Sequence, residues 1–81
     1  MVFKEIALIR VKAEDAKTRE EIEQKAHDYD SSIAYVSDKY VVVEKTGAED
    51  EINSLYHMFE SYGIIGLVRS GRIALKKEIT I

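Results

Sequence analysis

The sequence predicts an α+β sandwich: one four-stranded antiparallel sheet with two helices on one face. Three observations carry that prediction. Short stretches rich in β-branched and aromatic residues recur four times, two other stretches space their apolar residues by three and four, and the order along the chain is β-α-β-β-α-β. The 81 residues suit a single domain spanning 1–81, because a chain this short hides only about 60% of its surface and cannot build a second core.

Each element has its own local signal. Ile6, Leu8 and Arg10 fall on one face of a first strand and Ala7, Ile9 and Val11 on the other. Both faces are largely apolar, so alternation alone does not say which one is covered. Lys12 to Lys17 is a polar connection, and Thr18 with Glu21 has the spacing of a capping box, predicting a helix start there. The apolar seam of that helix is narrow: Ile22, Ala26 and Tyr29. Ile33–Val36 and Tyr40–Val43 flank Ser37-Asp38-Lys39, an antiparallel hairpin whose turn Asp38 favours. Thr46 and Glu49 repeat the capping-box spacing, and Ile52, Leu55, Tyr56, Phe59 and Tyr62 then recur at helical intervals. Gly63 is placed to end this second helix. Ile64 to Arg69 reads as a strand, Ser70-Gly71 as a turn that reverses the chain, and Arg72–Leu75, with Ile79–Ile81, as a fifth strand or a tail.

This order, with a central hairpin and two right-handed crossovers, is the ferredoxin-like split-βαβ arrangement. Two helices cover one face of the sheet and leave the other to water or to a second molecule. Leu8 and Val42 are therefore candidate interface residues, because leaving several such side chains wet forgoes about 25 cal/mol per Å² of apolar surface. A homo-oligomer, dimer or higher, is the expected solution.

Composition narrows the function classes. The chain has a net charge of −3, no cysteine and no proline. Without thiols it has no disulfides, iron–sulfur clusters or cysteine nucleophile, and it suits a reducing compartment, so the expected location is cytoplasmic. No secretory signal precedes the first strand, and no apolar run is long enough for a membrane. Residues 1–63 hold 8 basic and 14 acidic side chains, whereas residues 64–81 hold 4 basic and 1 acidic. The overall acidity disfavours nucleic acid and anionic membranes. The basic C-terminal stretch, with Arg69, Gly71 and Arg72, is a candidate anchor for an acidic partner; the simpler role of its arginines is to discourage strand addition at a sheet edge.

Catalytic chemistry is sparse. His27 and His57 read as surface histidines, and the runs Glu20-Glu21-Glu23 and Glu49-Asp50-Glu51 as first-turn carboxylates matched to helix dipoles. Gly47, Gly63, Gly66 and Gly71 form no phosphate loop or dinucleotide fingerprint. An RNA platform needs more strand aromatics than Tyr40 alone supplies. No cofactor, metal or enzymatic activity is expected. A second functional class stays open, a stand-alone ACT-like sensor of a small molecule or metal acting as a dimer or higher oligomer.

Several segments taken in order resemble one family. They are Lys4-Glu-Ile-Ala-Leu-Ile-Arg-Val11, Thr18-Arg-Glu-Glu-Ile22, Ile33-Ala-Tyr-Val-Ser37, Val43-Glu-Lys-Thr-Gly47 and Tyr62-Gly-Ile-Ile65, continuing into Leu67-Val-Arg-Ser-Gly-Arg-Ile-Ala74. Together they are similar to the C-terminal domain of the small, regulatory subunit of acetolactate synthase (acetohydroxyacid synthase). The resemblance implies a non-catalytic domain of branched-chain amino-acid biosynthesis that associates with itself and with a large, thiamine-diphosphate-dependent catalytic subunit. Small subunits of that family hold their feedback inhibitor in an N-terminal ACT domain with no counterpart in these residues, so valine binding is not carried over. Asp30 and Gly66 depart from the pattern, standing where a basic and an acidic residue are expected.

Overall fold

The computed structural model describes residues 2–70 and 73–75, with side chains for residues 4–70. The elements are β1 (Val2–Lys12), α1 (Ala16–Asp28), β2 (Ser32–Val36), β3 (Tyr40–Gly47), α2 (Glu49–Phe59), a 3-10 turn (Glu60–Tyr62), β4 (Ile64–Arg69) and β5 (Ile73–Leu75). The main sheet runs β2-β3-β1-β4, antiparallel throughout, which is the predicted ferredoxin-like topology. β1 is central, pairing with β3 on one side and β4 on the other, and it carries apolar side chains on both faces.

The structure resolves which face the helices cover. Ala7, Ile9 and Val11 of β1 and Val41 and Val43 of β3 are fully buried. Ile9, Val11, Val41 and Val43 form one cluster with Ile22 and Ala26 of α1 and Leu55 and Phe59 of α2, so both helices lie on one side. Burial of Ile22, Leu55 and Phe59 stabilises the sandwich by about 1.5–3 kcal/mol each. Tyr29 does not join this seam: it is the C-cap of α1 and is exposed.

Both helix starts differ from the capping-box predictions. α1 is capped by Asp15, whose Oδ1 accepts from the Thr18 amide at 2.7 Å. A carboxylate outranks a threonine hydroxyl as a cap, and Thr18 becomes the donor rather than the acceptor. Glu20, Glu21 and Glu23 consequently fall beyond the first turn, away from the positive end of the dipole. β3 runs four residues past Val43 because β1 keeps pairing with it as far as Glu5 opposite Gly47, which leaves Thr46 in the strand. Ala48 caps α2 with no side-chain oxygen, and the Ala48 amide instead donates to Glu51 Oε1 at 3.0 Å. Glu49, Asp50 and Glu51 do occupy that first turn, as expected.

Two turns are set by single residues. Ser37 Oγ, rather than Asp38, organises the hairpin by accepting from the amides of Lys39 and Tyr40 at 3.1 Å. Gly63 ends the second helical segment at φ +99°, and its carbonyl accepts from the Lys12 amide at 2.8 Å.

The chain keeps one direction from β4 to β5, where a reversal was expected. β4 and β5 pair antiparallel with the same strand, Ala7 opposite Arg69 and Lys4 opposite Ile73, and the Ser70 amide continues the ladder to the Ile6 carbonyl at 2.9 Å. β5 thus follows β4 along β1 in the same direction, its register offset by one residue from that of β4. Gly71, Arg72 and Ile79–Ile81 lie outside the described residues.

Candidate interaction surface

The face of the sheet opposite the helices can be mapped from the registers. One row across it holds Tyr35, Val42, Arg10 and Gly66; the next holds Ser32, Glu44, Leu8 and Val68. Ile6, opposite Thr46, continues the apolar surface toward one end, and Tyr40, opposite Lys12, lies at the other. Leu8 and Ile6 are 37% and 41% exposed and Val68 is 66% exposed, whereas Val42 is half-buried between its neighbours. The two candidates from the sequence, Leu8 and Val42, therefore share this open face.

A shallow hollow of about 310 Å³ lies at its centre, lined by Leu8, Arg10, Val42, Gly66, Leu67 and Val68. Gly66 makes it, since a Cβ there would stand 3.4 Å from the Arg10 Cβ. The Arg10 guanidinium leans over the Tyr40 ring, 4.7 Å from its centroid, and the Tyr35 and Tyr40 rings are 6.0 Å apart. Among the described residues neither Arg10 nor Glu44 has an ion-pair partner. Arg10 was visible in the sequence only as the polar member of an apolar face. Glu44, Tyr40, Gly66 and Val68 join it through registers that link residues 28 to 60 positions apart, for which the sequence gives no local signal.

Arg69 sits elsewhere. Its side chain lies on the helix side, where Nε donates to Glu5 Oε1 at 2.9 Å, Nη2 lies 2.8 Å from the same oxygen, and Nη1 donates to Asn53 Oδ1 at 2.8 Å. The guanidinium thus ties β1, β4 and α2 together. Lys45, the other buried charge, donates from Nζ to the carbonyls of Tyr29 at 2.9 Å and Asp30 at 3.2 Å, satisfying the C-terminal end of α1. Asp30 has a positive φ of 54°, and the charge facing Lys45 there is carbonyl oxygen rather than its own carboxylate.

The remaining polar groups make local contacts. His57 is exposed and pairs with Glu60 at 2.6 Å; His27 is on the exposed side of α1. Tyr62 donates to Glu21 at 3.3 Å, and burial, followed by the Glu21 charge, raises its hydroxyl above the usual phenol range. No group of three or more His, Cys, Asp or Glu among the described residues is placed to hold a metal, and no described helix is long and apolar enough to cross a membrane.

Topology and surface define a class: a ferredoxin-like domain with one covered and one open sheet face. Within that class the chain belongs to the family described as the small subunit of acetolactate synthase, which its residues 4–78 match. It is 30% identical over 80 residues to the acetolactate synthase small subunit of Aquifex aeolicus, covering 99% of this chain and 42% of the relative. It is 35% identical over 74 residues to the probable acetolactate synthase small subunit of Archaeoglobus fulgidus, covering 91% and 46%. The solved small subunit from Thermotoga maritima superposes with a TM-score of 0.79 at 25% identity over 98% of this chain and 48% of that one. The chain therefore spans less than half the length of these relatives. The family is that of the small, regulatory subunit and not of the catalytic one.

Proposed function

We propose that this chain is a cytoplasmic regulatory and oligomerisation domain of the acetolactate synthase small-subunit type, which associates with a second copy of itself through the open sheet face. The observation that carries this is the exposure of Ile6, Leu8 and Val68 around Val42 on the one face that neither helix covers. Removing such side chains from water stabilises an assembly by about 25 cal/mol per Å² of apolar surface. The domain also associates with a large, thiamine-diphosphate-dependent catalytic partner of branched-chain amino-acid biosynthesis, with the basic stretch around Gly71 and Arg72 as its contact. Membership of the family supports that role.

Leu8→Lys and Val42→Lys test the interface. Each places an ammonium on the open face, where it is solvated in a monomer, so circular dichroism stays native while light scattering reports dissociation. An unchanged assembly in both variants would refute the open face as the interface.

A further inference from the structure

We propose that the second copy docks about a two-fold axis lying in the plane of the sheet, which sets Arg10 of each copy against Glu44 of the other. The docking face is taken from the proposed function; the reciprocal charge pairing and the resulting orientation are added to it.

Arg10 stands opposite Val42, and Glu44 opposite Leu8, so these four positions form a rectangle with the charges on one diagonal and the apolar side chains on the other. Neighbouring strands are about 4.8 Å apart, and residues two apart along a strand are about 6.8 Å apart. The in-plane axis that exchanges the two ends of the charged diagonal runs close to the line from Leu8 to Val42. Each of those side chains then packs near its own copy, as an isologous interface requires. Mirroring the strand direction across this axis crosses the two sheets at about 70°, in the orthogonal class of sheet packing.

The charges favour a copy of this chain as the occupant. A patch of one sign calls for a partner of the other sign, whereas Arg10 and Glu44 in diagonal register complement themselves, and Lys12, farther along the same face, is paired with Glu14 of its own chain. Arg10 is also held away from the Glu44 of its own chain. Tyr40, over which its guanidinium stacks, lies on the far side of Arg10 along the strands. The hollow beside Gly66 comes to lie over the Ile6 and Thr46 row of the second copy, giving an apolar side chain a place to enter.

Charge reversal of the full 81-residue chain tests the pairing by sedimentation equilibrium. Arg10→Glu and Glu44→Arg, each alone, set like charges against each other and weaken the dimer by about tenfold or more. Mixed in equal amounts, the two variants restore both pairs and form a heterodimer. If either reversal loses its native circular dichroism, Arg10→Gln and Glu44→Gln replace it, each weakening the dimer and removing part of its salt dependence. A dimer indifferent to all of these, or a mixture without rescue, overturns the pairing and leaves self-association standing. A monomeric unmodified chain overturns both.

Discussion

Arg69 and Glu5 are 64 positions apart, yet Nε and Nη2 of one guanidinium both reach Glu5 Oε1, at 2.9 and 2.8 Å. The Glu5 side chain is 8% exposed and that of Arg69 28%, so the pair is largely withdrawn from water. Removing the arginine leaves a buried carboxylate without its counter-charge. Arg69→Ala is expected to lower the unfolding free energy by about 2–4 kcal/mol, and Glu5→Met with Arg69→Met to recover most of it. Urea denaturation measures both. A loss within about 0.5 kcal/mol for Arg69→Ala is what a solvated edge residue would give, and it would contradict the structural role.

Gly63 and Gly66 lie three residues apart, yet only Gly63 should be costly to replace. At Gly63 a Cβ finds ordinary space, 3.6 Å from the Lys12 Cβ, but φ is +99°, so Gly63→Ala is expected to cost about 1–3 kcal/mol from the backbone alone. Gly66 has no such backbone, and its Cβ would meet Arg10 at 3.4 Å, so Gly66→Ala should stay within about 0.5 kcal/mol. Equal losses in the two melting curves would contradict this account of Gly63.

The Asp15 cap should give α1 an acid-sensitive start. The Thr18 backbone amide holds the Asp15 carboxyl below its ordinary pKa, assisted by the Thr18 side chain, Arg19 and Lys17. With the folded-state pKa depressed, the stabilisation is complete above the unfolded-chain value and is lost as pH falls through the folded one. The stability difference between the unmodified chain and Asp15→Ala should therefore hold steady near neutrality and shrink on strong acidification. Thermal melts across that range would show a pH-independent difference if the carboxylate charge contributed nothing.

Lys45 offers a fourth test. Its ammonium is the donor to the carbonyls of Tyr29 and Asp30 where α1 ends, so Lys45→Met removes that donor from both. A loss of about 1–3 kcal/mol is expected, together with faster amide exchange over the last turn of α1. Unchanged exchange there would mean that water replaces the ammonium at no cost.

Local chemistry made much of this fold legible. Alternation located β1, β-branched and aromatic content located β2 and β3, the Ile52–Phe59 spacing located α2, and β4 has the predicted bounds, starting just after Gly63 ends the preceding helical segment. The caps were missed because Asp15 and Thr18 both have cap chemistry, and only the hydrogen-bond geometry separates acceptor from donor. The expected reversal after β4 does not occur, because a small-residue pair such as Ser70-Gly71 signals a break in a strand without fixing the direction in which the chain goes on. The outward placement of Leu8 and Val42 followed only once strand order and helix packing were known, since both faces of β1 are apolar. The Arg69–Glu5 pair and the Arg10–Glu44 diagonal depend on strand registers that no local pattern encodes.

The most direct test of the central claim is sedimentation equilibrium of the unmodified 81-residue chain at micromolar concentration, run beside Leu8→Lys. Self-association through the open face predicts a mass of two chains or a multiple for the former and of one natively folded chain for the latter. A single-chain mass for the unmodified protein across that range would contradict it.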